Sequence, residues 1–330
     1  MKRYDRQRKI TGRKACFLLL LSLGLVMSSF SFPLPLAATG SSVTVKTDSS
    51  ELDMKSGSLK DFVQMNIDKL AVEPTFMNWK NAQTKYYPLG PGTHSWLVNV
   101  MNSDQRIGYL IVTSAADGKY VLSEYGAGLE GLPYSLNELH QFLVQEELIS
   151  STFHGTPHIT PLYSPLLPLW EVTMDGKKLY INAAVPDILP WSSSKAEAIL
   201  KKEISTAGLS SSADAIRSPK EVFRTTQSSD PYDNLLWLRN PKLQSLSEND
   251  FTDLLEQEGN LVFQSTGKND LIGAPLMVSG YQIWTINSDA LELGSKNVNM
   301  LYAAIGPNGK RFVPLSLLNQ YGTLQQAVTN

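Results

Sequence analysis

Beyond residue 16 the chain has no cysteine. That excludes a disulfide framework, a thiolate metal site and a catalytic thiol from everything that follows Cys16. Histidine is scarce too. His94, His140, His154 and His158 are the only four, and no His-Glu-x-x-His occurs. His154 and His158 have the i, i+4 spacing of a helical ligand pair, but Gly155 and Pro157 lie between them and no nearby carboxylate completes a zinc set. The stretch reads as a loop with two exposed imidazoles. There is no Gly-x-Ser-x-Gly elbow, no Ser-x-x-Lys with its usual companions and no Gly-rich phosphate loop. No cofactor and no metal are expected.

Charge is absent from a long stretch near the start. Lys2, Arg3, Arg6, Arg8, Lys9, Arg13 and Lys14 face one acid, Asp5, and the next charged residue is Lys46. Between them lies the apolar run Ala15 to Met27. A basic flank before a short apolar core is the pattern of an export signal, with the positive side retained in the cytoplasm. Residues 1–40 are therefore expected to be a signal peptide or membrane anchor. Ala38-Thr39-Gly40 offers small residues at −3 and −1 for a cut before Ser41, and Ser29-Phe30-Ser31 offers a second. The uncharged stretch Cys16–Ala38 also has the length of an uncleaved anchor, though Pro33 and Pro35 weaken its second half.

Export changes the charge balance. Seven of the 29 basic residues and one of the 31 acidic ones lie in the first 40, so the formal net charge passes from −2 to −8. An acidic exported part argues against nucleic acid or an anionic lipid surface as main partner. Contact with the membrane is expected only through residues 1–40, and the location outside the cytoplasm or in the cell envelope.

The rest of the chain alternates helical and strand patterns. Residues 41–55 are Ser/Thr-rich and read as a tether. Leu59, Phe62, Val63, Ile67 and Leu70 recur at helical spacing, Ser58 is placed to cap, and Pro74 ends the run. Three segments then follow one design, an apolar strand entering an Asp-Gly-Lys or Asn-Gly-Lys turn and a second strand leaving it. They are Gly108–Val112 to Tyr120–Leu122 around Asp117-Gly118, Leu169–Val172 to Leu179–Ile181 around Asp175-Gly176, and Met300–Ile305 to Arg311–Val313 around Asn308-Gly309. Such dipeptides accept the positive φ of tight hairpins. Between them, Ser135-x-x-Glu138 and Ser194-x-x-Glu197 read as capping boxes, and Ser247 opens a further helix ended by Gly259.

The fold class expected is α+β, antiparallel sheets built from β-hairpins and each packed on one face by helices. The Ser-rich stretch 208–230 reads as a linker. It would divide a first domain at 56–207, holding two hairpin modules, from a second at 231–330.

The candidate binding residues are His94, Trp96, Glu124, Tyr125, Trp191 and Trp237. His94 follows Pro88-Leu89-Gly90-Pro91-Gly92-Thr93, a rigid run that either shapes a binding loop or sets the entry angle of the strand at Trp96. Glu124, beside Tyr125 and two glycines at a strand end, is the one carboxylate placed like an acid/base group. The plainer reading is a paired or solvated side chain. Trp96, Trp170 and Trp284 fall within apolar strands. Trp191 and Trp237 lie near element ends and are the better surface candidates, although core is the favoured reading for all six tryptophans, Trp79 included. His140 sits within a predicted helix.

Two stretches carry a resemblance. Ile107-Gly108-Tyr109-Leu110-Ile111-Val112 with Leu122-Ser123-Glu124-Tyr125-Gly126 resembles the strand pair of inhibitory pro-segments in secreted bacterial thiol proteases of the streptopain type. Leu169-Trp170-Glu171-Val172 through Tyr180-Ile181-Asn182-Ala183 resembles the strand pair of propeptide-like modules of the PepSY class. Asn182 stands where Asp is usual there, and Val185-Pro186-Asp187 replaces the common Thr-Gly-Glu. The two stretches span roughly a third of the chain. The resemblance implies a pro-segment-like binding module without the protease, since the exported part lacks the catalytic cysteine. The expected partner is a peptide or protein bound by strand addition, with inhibition of an extracellular hydrolase as one outcome. A carboxylate-dependent hydrolase of cell-wall polymer using Glu124, and a structural envelope protein, are the alternatives.

Overall fold

A computed structural model of the chain describes residues 56–90, 94–115, 118–150, 157–200, 216–225, 230–265, 274–286 and 299–327. All of them belong to one compact unit, residues 43–330. The expected signal or anchor segment and the tether lie outside the described residues. No described helix is long and apolar enough to cross a membrane.

The expected α+β class holds. The described strands form two antiparallel sheets, and helices cover their faces. The larger sheet runs in the order β1 (Gln83–Pro88), β2 (Ser95–Asn102), β3 (Gln105–Ser114), β4 (Tyr120–Ala127), β13 (Arg311–Pro314), β12 (Asn299–Ile305), β11 (Leu276–Ile286), β10 (Leu261–Ser265) and β14 (Gly322–Gln326). The long β11 also pairs with β9 (Ile216–Arg224). The smaller sheet holds β5 (His158–Ser164), β6 (Leu167–Met174), β7 (Lys177–Asn182) and β8 (Ile188–Leu189) in order.

Apolar alternation decides what covers each face of the large sheet. On one face Val98, Val100, Leu110, Val112, Tyr125, Tyr302 and Phe312 pack with helix α1 (Ser56–Leu70) and a 3-10 turn at Pro74–Trp79. Helix α1 buries Leu59, Phe62, Val63, Ile67 and Leu70, the predicted stripe. It begins at Ser56, so Ser58 lies inside it and is not its cap. On the other face Leu97, Tyr109 and Ile111 pack against Trp170, Val172 and Ile181 of the small sheet and against Leu139 and Leu143 of α2 (Leu136–Gln145). Farther along, Leu301, Ala303 and Val313 share a core with Leu167, Leu169 and Tyr180. Helices α3 (Ser193–Leu200), α4 (Glu248–Glu258) and α5 (Leu315–Tyr321) close that core.

The caps follow local chemistry. The Ser135 hydroxyl accepts from the Glu138 N–H, and that of Ser247 from the Asp250 N–H, at 3.3 and 3.2 Å, each satisfying an amide the helix start leaves open. Helix α3 starts earlier than the sequence suggests. Ser192, not Ser194, takes the cap, its hydroxyl accepting from the Lys195 N–H at 3.2 Å.

All three predicted strand pairs form; Asp117, at the expected tip of the first, lies outside the described residues, and the third changes its turn. β6 and β7 close on Asp175 and Gly176, at φ +50° and +74°, the pair of left-handed residues a two-residue turn needs. β12 and β13 are joined instead through a 3-10 turn, Pro307–Gly309, entered from Gly306 at φ +77°. Gly118 precedes β4 at φ +79°, and a Cβ there would meet nothing within 4 Å. Its role is thus purely conformational. Replacing Gly118 by valine is expected to cost about 1 kcal/mol or more through backbone strain alone, read from the urea midpoint. An unchanged midpoint would show that the turn rearranges freely.

The division at 208–230 is corrected by strand pairing. Residues 216–224 of the expected linker form β9, with Phe223 opposite Tyr281. β4 of the expected first domain pairs with β13 of the second, Gly126 opposite Arg311 and Tyr125 opposite Phe312. A Cβ on Gly126 would lie 2.3 Å from the Lys310 carbonyl oxygen, so only glycine admits this approach. The first and third hairpins therefore belong to one sheet rather than to separate modules. A Ser-rich composition marks local polarity, but pairing between distant strands has no local signature.

Candidate functional site

Glu124 and Tyr125 are neighbours in β4 yet point to opposite faces of the sheet. The register between β3 and β4 shifts between Ile111 and Val112, so that Leu122 faces Val112 and Glu124 faces Ile111 while Ser123 is extra. This bulge reverses the alternation and sends Glu124 to the side of Tyr109.

There Glu124 is fully buried. Arg311 donates from Nε to Oε1 at 2.8 Å and from Nη2 to Oε2 at 3.0 Å. The Tyr109 hydroxyl donates to Oε1 at 2.6 Å. Arg311 Nη2 also donates to the Leu166 carbonyl at 3.0 Å, in the turn between β5 and β6. Burial opposes the Arg311 charge, but the Glu124 carboxylate, through attraction and hydrogen bonding, holds the guanidinium above its ordinary pKa. Burial first, then the Glu124 charge, push the Tyr109 phenol well up. The arrangement is a closed ion pair fastening β4 to β13 and both to the small sheet. It is not an accessible acid, and the catalytic use of Glu124 and its place among binding residues are corrected on that ground. Tyr109 and Arg311 escaped the sequence reading. An arginine inside the apolar strand Arg311-Phe312-Val313 was the available signal.

Tyr125 is equally buried, among aromatic side chains. Its hydroxyl donates to Gln282 Oε1 at 2.5 Å and accepts from Trp284 Nε1 at 3.0 Å, and its ring stacks on Phe312 at 5.1 Å. Trp191 packs with Tyr180 in the core below the small sheet. Trp237 is buried against Val262 and Met277, its indole N–H donating to the Pro231 carbonyl at 2.8 Å. These three are core residues, as the favoured reading of the tryptophans had it for Trp191 and Trp237. Large rings near element ends still find cover when a distant element folds over them.

His94 and Trp96 remain, and both lie where β2 begins. His94 is exposed at φ +47°, and its carbonyl accepts from the Ser114 N–H at 2.8 Å. Trp96 is half-buried, edge-on to Tyr120 at 5.7 Å, and stands opposite Pro88 of β1. His140 is exposed on α2. His158 opens β5, where a loop was expected, and His154 lies outside the described residues. Among the described residues no group of three His, Cys, Asp or Glu could hold a metal ion.

β1 is an outer strand. Among the described residues it pairs with β2 alone. The Leu89 N–H donates to the Ser95 carbonyl at 2.9 Å, continuing the register that sets Pro88 opposite Trp96. Bonded pairs alternate along an antiparallel ladder. Gln83, Lys85, Tyr87 and Leu89 therefore turn their main-chain groups toward β2, and Thr84, Tyr86 and Pro88 turn theirs outward. Pro88 has no N–H, so the outward donors are those of Thr84 and Tyr86. Tyr86 and Tyr87, both half-buried, flank this edge on opposite faces.

No family model matches the chain, and no curated protein matches it.

Proposed function

We propose that the chain is an exported, non-catalytic binding protein that adds an extended peptide or protein segment to the β1 edge of its large sheet. The observation that supports this best is the outward-facing amide pair of Thr84 and Tyr86 on a strand with one described neighbour. Main-chain bonds to such an edge supply affinity, and side-chain contacts on alternate positions supply choice. Tyr86, Tyr87 and Trp96 offer apolar flanks, and His94 marks the far end. The basic flank and apolar core of residues 1–40 support export, and the pro-segment-like stretches support a role in restraining an extracellular hydrolase. The engagement of both Glu124 oxygens out of solvent supports the binding reading over a hydrolase that would use this carboxylate.

A Thr84→Pro variant tests the edge. Proline removes one outward donor and none that faces β2, and edge strands accept it. A partner captured from native culture supernatant, identified and then titrated, is expected to bind this variant at least about fivefold more weakly, the loss of roughly one hydrogen bond. Amide exchange at Thr84 and Tyr86 is expected to slow in the wild-type complex. Equal affinity for both forms, with no slowing at residues 83–88, would refute strand addition there.

A further inference from the structure

A second surface stands apart from the β1 edge. Tyr232, Leu235, Leu236 and Leu238 are 60%, 53%, 48% and 51% exposed within seven residues of chain. The three leucines lie on a short 3-10 helix, Leu235–Arg239, which Tyr232 precedes and whose remaining apolar residue, Trp237, is buried. The segment is held firmly. The Asn234 side chain accepts from the Leu236 N–H at 3.0 Å. Gln325 of β14 donates to the carbonyls of Trp237 and Asn240 at 3.1 and 2.9 Å, and Asn240 donates to the Gln326 carbonyl at 2.9 Å. Leu243 bridges to Leu324. Three leucines kept in water on a fixed platform are the mark of an interaction surface.

Charge selects the occupant. Exposed acids, Asp230 and Asp233, precede the leucines, and exposed bases, Arg239 and Lys242, follow them. The order acid, apolar, base is self-complementary. A two-fold axis through the leucines lays the segments antiparallel, so that the acids of one copy meet the bases of the other. An anionic lipid surface would repel the acidic end of the same segment. We infer that a second copy of this chain covers this face, forming a two-fold dimer with Leu235, Leu236 and Leu238 at its centre.

Sedimentation velocity on the protein purified from its producing culture tests this. A dimer is expected between about 1 and 100 µM, the range of a modest interface. Leu235→Ser with Leu238→Ser is expected to raise the dimer dissociation constant at least about tenfold while circular dichroism stays unchanged, because Trp237 still anchors the segment. Asp233→Lys and Arg239→Glu should each weaken the dimer several-fold, and the two together should restore it, since the swapped charges again face opposite signs. A monomer at every concentration, a dimer indifferent to the serine variant, or single reversals without rescue would overturn the proposal. So would a monomer that co-sediments with phosphatidylcholine–phosphatidylglycerol vesicles through the same leucines.

Discussion

Arg311→Met is expected to destabilise the protein by about 3–5 kcal/mol, because it leaves the Glu124 carboxylate buried without its countercharge. The Tyr109 hydroxyl, at 2.6 Å, is then the one remaining described donor to a side chain that has no contact with water. The effect is larger than the pair's own net contribution, since the loss is mainly the cost of an uncompensated charge in a medium that solvates it poorly. A second variant separates these quantities. Glu124→Leu combined with Arg311→Met removes both charges together, and is expected to recover most of the lost stability. Urea midpoints at constant slope measure both forms. If Arg311→Met cost less than about 1 kcal/mol, the range of an exposed pair, the site would be hydrated and open. The fastening of β4 to β13 through this pair would then have to be abandoned, and Glu124 would return as a candidate acid.

Trp79→Ala is expected to cost about 3–5 kcal/mol, the range for removing a fully buried indole. Trp79 has no exposed surface, and its ring meets Phe76 edge-on at 4.8 Å. Its six-membered edge lies over Gly108 of β3, so closely that a Cβ on Gly108 would be 2.2 Å from Cζ2. The cavity left by alanine is lined by the rigid backbone of a central strand, which cannot collapse to fill it. Gly108→Ala should fail for the converse reason, by forcing the indole out of its place, and its effect should be largely absent in the Trp79→Ala background. Additive effects of the two substitutions would show that the ring and the glycine do not touch.

The stripe of α1, the caps at Ser135 and Ser247 and the turn at Asp175-Gly176 are readable because each is settled within a few residues, by a face that must be buried or a φ that must be positive. Trp237 shows the limit of that reading. It lies near an element end, and Val262 of β10, Met277 of β11 and Ala327 cover it, while the leucines around it are the exposed ones. Nothing in Leu235-Leu236-Trp237-Leu238 distinguishes the buried ring from the exposed neighbours, because a 3-10 turn has neither of the two common apolar periods. His94 and Trp96 stand where β2 begins, beside the end of β1, and the outward amides of β1 are a property of register alone.

Short-range sterics and composition settle the α+β class, the three hairpin strand pairs, the caps at Ser135 and Ser247 and the lack of a thiol after Cys16. The meeting of β4 with β13 across the Ser-rich stretch, the bulge at Ser123 that turns Glu124 inward and the placing of Arg311 and Tyr109 beside it arise from long-range pairing instead. The difference is one of range. A turn or a cap gains its free energy from residues adjacent in the chain. The Glu124–Arg311 pair joins residues 187 apart, and its energy depends on a burial that exists only once both sheets have closed over it.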